Sequence, residues 1–363
     1  MKKIALYIPS MNGGGAERVM LALANGLAEK DILVDLVLNK VEGSYLKHAS
    51  SKVNVVNLNT SRVINGIVPL AKYLSKEKPD VILSAMNYVN IATVLAQLIS
   101  RSKTKVVLSE HSNLTESKKN LSKIKGAVIT SLMRWTYRKA DCIVAVSNGV
   151  ADALSNELKI NRSKITTIYN PISSETIVEH SKESISHAWV KKDSLPLILG
   201  VGRLTLQKDF KTLIHAFKQV LEKNNCNLII LGEGELRVEL EKLINSLHLD
   251  DNVQLPGFVD NPYAWMSHAD LFVLSSINEG FGNVIVEAMA CGTPVVSTDC
   301  PSGPTEILEG GLWGDLVSPG NPDLLAKAII HSLDNPVQKD VKTRAKFFSV
   351  DNAVDQYFNV FKL

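Results

Sequence analysis

Leu197-Ile198-Leu199-Gly200-Val201 runs into Gly202-Arg203-Leu204-Thr205-Leu206-Gln207-Lys208 and then into an amphipathic stretch at 209–223. The first five residues carry no polar side chain. A strand buried on both faces looks like this, and such strands belong to parallel sheets covered by helices. Working outward, the same run recurs along the chain. Strands are expected at 3–9, 33–38, 53–57, 80–84, 105–109, 141–146 and 165–168, and again at 196–201, 227–231, 252–255, 270–274, 294–297 and 314–317. Amphipathic stretches such as 16–30 lie between them. The alternation predicts an α/β architecture of doubly wound parallel sheets.

At roughly 150 residues per domain, a chain of 363 residues suggests two domains. The strand rhythm breaks between Asn170 and Pro196, where the sequence is polar and Ser-rich. This predicts a first domain over 1–170, a linker over 171–195 and a second domain over 196–345. A closing aromatic stretch, 346–363, contains Tyr357, Phe358 and Phe361; it can pack on either domain, including by crossing back to the first.

With 45% apolar and 21% charged residues, the composition excludes a disordered or collagen-like chain. No window approaches the ~18 apolar residues of a spanning helix. The N-terminal Met-Lys-Lys followed by apolar residues 4–8 reads as a buried strand rather than a signal peptide. Cys142, Cys226, Cys291 and Cys300 form no Cys-x-x-Cys pair and no zinc spacing, so they are expected to be small apolar residues in a reducing cytoplasm, with no metal site. The net charge of +3 divides unevenly. Residues 1–170 hold 24 Lys and Arg against 12 Asp and Glu, and residues 171–363 hold 16 against 25. A basic first half suits an anionic surface, although a basic cleft wall or surface drift would give the same balance.

Several loops carry candidate chemistry. Gly13-Gly14-Gly15 joins the first strand to a helix, so backbone at Gly14 and Gly15 can approach a ligand and aim N–H groups at an anion; a tight turn is the alternative. Arg18 stands where a dinucleotide fingerprint needs glycine, and Asn39 where it needs an acid, which disfavours NAD. His111 lies in Ser109-Glu110-His111-Ser112-Asn113 at the end of an apolar strand, a place where sites gather, though a lone histidine is more often structural. Gly202 thins the backbone before Arg203 and Lys208, two cations suited to a diphosphate. In Glu279-Gly280-Phe281-Gly282-Asn283-Val284-Ile285-Val286-Glu287, a helix is expected to begin near Asn283, with amides that can bind phosphate oxygens. Glu287, one turn further in, can accept two hydrogen bonds from a vicinal diol. Either acid alone would be ordinary compensation of the helix dipole.

The Glu279 to Glu287 spacing, with Gly202-Arg203 and Lys208, resembles family 4 of the retaining nucleotide-sugar glycosyltransferases, which have the GT-B fold. Gly13-Gly14-Gly15-Ala16-Glu17, Glu110-His111, Val146-Ser147-Asn148, Gly232-Glu233-Gly234, Leu255-Pro256-Gly257-Phe258 and Cys291-Gly292-Thr293-Pro294 extend the likeness over nearly the whole chain. The linker departs from it, with Asn170-Pro171-Ile172 in place of the commoner Asn-Gly-hydrophobic-Asp. The resemblance implies two Rossmann-like domains facing across a cleft. It implies that Arg203, Lys208 and the amides of Gly282, Asn283 and Val284, with Gly280 and Phe281 beside them, clamp the diphosphate. It further implies Glu287 on the ribose hydroxyls, Glu279 on the donor sugar, His111 on the transferred sugar, and the 256–259 segment, with Gly257 and Phe258, along the base.

The expected function is retaining transfer of a hexose or N-acetylhexosamine from a UDP-sugar, with no cofactor beyond that donor. Many glycosyltransferases neutralise the diphosphate with a metal held by Asp-x-Asp; this chain contains none, so Arg203 and Lys208 are expected to replace the ion. The Ser-Glu-His-Ser-Asn variant resembles bacterial enzymes that extend polyprenyl-diphosphate-linked oligosaccharides or surface polysaccharides. Residues 118–139 hold seven cations and no acid, interleaved with Ile124, Val128, Ile129, Leu132, Met133 and Trp135. This basic amphipathic stretch suits the inner, cytoplasmic face of an anionic membrane, or else packs its apolar stripe on its own domain. No nucleic-acid signature accompanies it. A UDP-sugar 2-epimerase and a non-catalytic sugar-nucleotide-binding subunit are the alternatives. Donor sugar, acceptor, linkage and oligomeric state are not encoded in any motif.

Overall fold

A computed structural model describes residues 2–119, 122–190, 194–335 and 339–362. Every predicted run is a strand, displaced by a residue or two at most. The first seven are β1 (Lys3–Ile8), β2 (Leu33–Leu38), β3 (Val53–Asn57), β4 (Val81–Ala85), β5 (Lys105–Glu110), β6 (Cys142–Ala145) and β7 (Ile165–Thr167). They form one parallel sheet in the order β3-β2-β1-β4-β5-β6-β7. The other six are β8 (Leu197–Val201), β9 (Asn227–Leu231), β10 (Val253–Gly257), β11 (Leu271–Leu274), β12 (Val295–Thr298) and β13 (Asp315–Val317), in the order β10-β9-β8-β11-β12-β13. Each order reverses once, between β1 and β4 and between β8 and β11. Ligands of doubly wound sheets bind at such reversals, beyond the carboxyl ends of the strands.

The strand interiors show why the apolar runs were legible. β4, β9, β11 and β12 are buried along their whole length, whereas edge strands β3 and β13 are partly exposed. Helices cover both faces, so the central strands need no polar side. Each sheet has its own core, one around Ile4, Leu6, Leu36 and Leu83, the other around Ile198, Phe217, Ile230 and Val273.

The chain divides into two compact units, one made of Met1–Ile172 with Phe348–Leu363 and the other of Ser173–Phe347. The crossing points lie side by side within the first unit, where Ile172 N–H donates to the Phe348 carbonyl at 2.7 Å. The helix Val350–Phe361 buries Ala353, Val354, Tyr357 and Phe361 in the first core. Gly26 permits its approach: a methyl at that position would run into the side chains of Val350 and Val354. The polar stretch after Asn170 is not a bare linker. Ser174–His180 is a helix, and it packs in the second unit against Pro262–His268 and Asn283–Cys291 with Ile177 buried.

Residues 118–139 are not one helix but parts of two, Leu114–Lys119 and Lys123–Tyr137. The side chains of Lys118, Lys119 and Lys123 lie outside the described structure. In the second helix, Thr130, Met133 and Tyr137 turn inward, while Ile124 is 79%, Val128 62% and Trp135 47% exposed, with Leu132 also outward. Lys125, Arg138 and Lys139 flank that stripe in solvent, and Lys139 Nζ sits 5.1 Å from the Trp135 ring centroid. Arg134 instead reaches the carbonyls of Glu157 and Leu158 at 3.2 Å each, where it caps the end of the helix Asn148–Leu158. Among the described residues no helix is long and apolar enough to cross a membrane.

Candidate active site

In the second unit, the loops after β8 and β11 meet at the reversal of the sheet. Gly202 directly follows the first of these strands, and a methyl there would come 3.1 to 3.3 Å from the side-chain carbons of Lys208. The missing side chain gives the lysine room to fold back over its own loop. Lys208 Nζ donates to Oε1 of Glu279 at 2.6 Å, and Ser276 Oγ donates to the same oxygen at 2.7 Å. Ser275 Oγ donates to the Lys208 carbonyl at 2.8 Å, and Gln207 Nε2 to the Asn278 carbonyl at 2.9 Å. Three of these bonds stitch the two loops together, and the bond from Ser276 braces Glu279 within the second loop. Both members of the ion pair are largely withdrawn from solvent, which weakens screening and fixes the geometry. Arg203, one residue beyond Gly202, stays exposed beside them in the chain.

The helix Asn283–Cys291 begins where expected. Gly282 caps it in the left-handed region, φ +98°, and turns the chain sharply from the loop into the helix. The end of β12 and the loop after it pack against this segment. Thr298 Oγ1 donates to the Ser276 carbonyl at 2.6 Å, and Gly303, φ +106°, lies so close that a methyl there would overlap the Phe281 carbonyl. Phe281 is buried, whereas Gly280, Asn283 and Val284 remain partly accessible. The first-turn amides thus form a fixed positive mouth. Glu287 lies one turn in and is only 1% exposed. Nearby charge is felt by two thiols: burial first, then Glu287, pushes Cys291 up to about 12, and burial, then Glu279, does the same to Cys300. Both cysteines are inert thiols, as small apolar residues would be.

The structure brings Gly202, Lys208 and Glu279 into direct contact, with Arg203 and the segment Gly280, Phe281, Gly282, Asn283 and Val284 on the same two loops. It does not place Gly257 and Phe258 there. Gly257 ends β10, two strands away from β8, and Phe258 follows it; the Gly257 carbonyl accepts from the Gly232 amide at 2.8 Å, and Phe258 is 74% exposed. Gly14, Gly15 and His111 belong to the first unit. Gly14 and Gly15 are exposed at the start of the helix Gly15–Ala28, after β1. His111 follows β5, with Nε2 3.0 Å from Ser109 Oγ, and burial lowers its pKa to about 4, so the ring is neutral at pH 7. Beside it Glu110 is buried; it accepts from Tyr137 at 2.7 Å and Ser112 at 3.1 Å, and burial raises its pKa.

Sequence reading missed Ser275 and Ser276, which hold Lys208 and Glu279. Two hydroxyls directly after the all-apolar β11 were the available signal. Among the described residues no group of three His, Cys, Asp or Glu could hold a metal ion.

Comparison with known proteins adds to this geometry. Residues 13–176 match the family described as Glycosyltransferase Family 4, and residues 181–348 match Glycosyl transferases group 1. The chain is 32% identical over 358 residues, 95% of its length and 94% of the other, to the N-acetylgalactosamine-N,N'-diacetylbacillosaminyl-diphospho-undecaprenol 4-alpha-N-acetylgalactosaminyltransferase of Campylobacter jejuni. It is 29% identical over 321 residues, 87% of its length and 84% of the other, to the lipopolysaccharide core biosynthesis glycosyltransferase LpsE of Rhizobium meliloti. Among solved structures, Anabaena Alr3699/HepE in complex with UDP and glucose superimposes over 100% of both chains, with a TM-score of 0.80 at 22% identity. Sucrose-phosphate synthase from Thermosynechococcus elongatus covers 100% of this chain and 98% of its own, with a TM-score of 0.82 at 20% identity.

Proposed function

This chain belongs to the family 4 glycosyltransferases, with the GT-B fold of two Rossmann-like domains, and we propose that it transfers a hexose or N-acetylhexosamine, with retention, from a UDP-sugar to a polyprenyl-diphosphate-linked oligosaccharide or surface polysaccharide precursor. One observation carries the reading: the bonded Lys208–Glu279 pair beside the mouth of the helix Asn283–Cys291, at the reversal point of the second sheet. The C1–O bond to the diphosphate breaks as the sugar becomes oxocarbenium-like, and negative charge builds on the leaving UDP. Arg203, Lys208 and the first-turn amides stabilise that charge where it develops. The acceptor hydroxyl enters on the same face, forms the new bond to C1 and passes its proton to a diphosphate oxygen. Glu279, held by Lys208 and Ser276 through Oε1, has Oε2 for hydroxyls of the donor sugar. We assign Glu287 to the ribose diol, Gly257 and Phe258 to the base, Gly14 and Gly15 to a backbone approach to ligand, and His111 to the transferred sugar. The Campylobacter relative acts on an undecaprenol-linked diphosphate by its name, and HepE was solved with UDP; both support the choice of donor and acceptor.

We also propose that the protein works against the inner face of the plasma membrane. The exposed Ile124, Val128 and Trp135 stripe, flanked by Lys125, Arg138 and Lys139, supports this, because apolar side chains turned away from their own core have a partner in lipid.

The test is a panel of UDP-, GDP- and ADP-sugars read by thermal shift, followed by UDP release from the purified chain with and without undecaprenyl-diphosphate-linked acceptors. A ligand at 100 times its Kd stabilises by about 2.7 kcal/mol. Shifts with UDP-sugars and acceptor-dependent UDP release are expected. Stabilisation by GDP- or ADP-sugars alone overturns the donor. Epimerisation without acceptor, or binding without turnover, overturns the transferase.

A further inference from the structure

The His111 ring leans back on its own strand. Its Nε2 lies 3.0 Å from Oγ of Ser109, and that oxygen lies 3.5 Å from the phenol oxygen of Tyr357. Tyr357 comes from the helix Val350–Phe361, 248 residues further along the chain from Ser109, yet within the same unit. We infer that Ser109 and Tyr357 are positioning residues that fix the tautomer and orientation of His111, so that the returning C-terminal helix completes the candidate site of the first unit. The inference rests on the role given to His111 above.

The direction of the hydrogen bonds follows from donor strength. A phenol donates better than an aliphatic hydroxyl, and a buried O–H left without an acceptor is costly. Tyr357 therefore donates to Ser109 Oγ, and Ser109 donates in turn to His111 Nε2. A neutral imidazole that accepts at Nε2 carries its proton on Nδ1. Burial keeps the ring neutral. Glu110, the residue between Ser109 and His111, does not compete for the ring: its two oxygens accept from Tyr137 and Ser112. His111 then presents a fixed Nδ1–H donor, oriented through a hydroxyl where many sites use a carboxylate. Tyr357 is buried in the first core together with Phe361, 5.7 Å away between ring centroids, so its hydroxyl is held at a set depth.

The test records imidazole 15N resonances of the full chain labelled at histidine, with His111 identified by its loss in His111→Gln. The Nδ1–H form is expected in the unmodified protein. Ser109→Ala should return His111 towards the Nε2–H form favoured by free histidine, Ser109→Thr should restore Nδ1–H, and Tyr357→Phe should give an intermediate mixture. An Nε2–H tautomer in the unmodified protein, or one unchanged by Ser109→Ala, overturns the inference. This readout needs no substrate, so it stands or falls separately from the transferase reading. With the donor and acceptor found in the panel, Ser109→Ala should lower kcat about fivefold to tenfold with KM within about twofold, Tyr357→Phe should lower it less, and Ser109→Thr should turn over like the parent. That loss should vanish in a His111→Gln background. An additive loss there would show that the residues act on the fold and overturn the proposal.

Discussion

Lys208 Nζ and Glu279 Oε1 stand 2.6 Å apart, each on a different loop of the second unit, and their ion pair helps to join those loops at the carboxyl ends of β8 and β11. Removing the cation leaves a buried carboxylate with one hydroxyl for company. Lys208→Met should therefore destabilise the protein by on the order of 3 kcal/mol, read from urea unfolding. Glu279→Gln keeps an acceptor for the lysine and should unfold closer to the unmodified protein while losing turnover. Equal urea midpoints for Lys208→Met and the parent would remove the pair from any role in holding the loops.

Arg203 is exposed and has little to lose structurally. Arg203→Ala should leave the melting temperature within about a degree or two, because surface substitutions of this kind fall within about 0.5 kcal/mol. Its kcat should drop on the order of 10²-fold or more if the guanidinium stabilises the leaving diphosphate. Near-normal turnover would refute that role.

At Gly202 a methyl group must displace the aliphatic chain of Lys208. The displaced atoms belong to a flexible side chain, so Gly202→Ala is expected to fold with nearly unchanged stability. It should weaken donor binding, measured by calorimetric titration with the nucleotide sugar. Unaltered donor affinity would mean that the close approach of Lys208 to the backbone has no bearing on the ligand.

Burial lowers the pKa of His111 to about 4. Between about pH 6.5 and pH 4 the unfolded chain binds a proton there that the folded chain does not, so this group's stability contribution is present above 6.5 and is lost as the pH falls. His111→Gln should flatten the acid side of the stability curve by on the order of 3 kcal/mol at pH 4. Glu110 has the opposite sign: with its pKa raised by burial, its contribution falls as the pH rises above about 4.5. Urea unfolding of His111→Gln that parallels the parent from pH 7 to pH 4 would rule out the lowered value.

Binding to vesicles should depend on the outward stripe of the helix Lys123–Tyr137. Sedimentation with phosphatidylglycerol-containing vesicles is expected at low salt, at about 1 kcal/mol for each cation near the surface, and should fade as salt is raised. Lys125→Glu with Lys139→Glu, or Trp135→Ala, should release the protein. Equal recovery with neutral and anionic vesicles would sink the membrane assignment.

The central strands could be read from the sequence because a parallel strand covered on both faces has no polar side to blur it, as in Leu271–Leu274, and the partly exposed edge strands β3 and β13 were read from their place in the same alternation of strands and helices. The second-unit site was legible for a related reason: Gly202, Arg203 and Lys208 lie close together in one loop, and Glu279 through Glu287 form one continuous stretch of loop and helix. What escaped depends on tertiary contact. Ser174–His180 is short and polar, and its burial rests largely on Ile177, which no periodicity announces. Ser276 looks like any loop serine until its hydroxyl is found on Glu279. Ser109 and Tyr357 are far apart in the chain, and the Tyr357 aromatic pattern was equally consistent with packing on either unit. The outward turn of Ile124, Val128 and Trp135 was one of two readings, and only the inward placement of Met133 and Tyr137 decides which face of the helix is covered.

The first unit is discontinuous, since residues after Phe348 return to fill its core beside Gly26. A ribosome working at about 5–20 residues per second needs roughly 10–35 s to lay down the intervening segment Ser173–Phe347. Throughout that interval the amino-terminal half emerges with a gap where Val354, Tyr357 and Phe361 belong, an opening that a chaperone can occupy and that a prematurely terminated chain never closes.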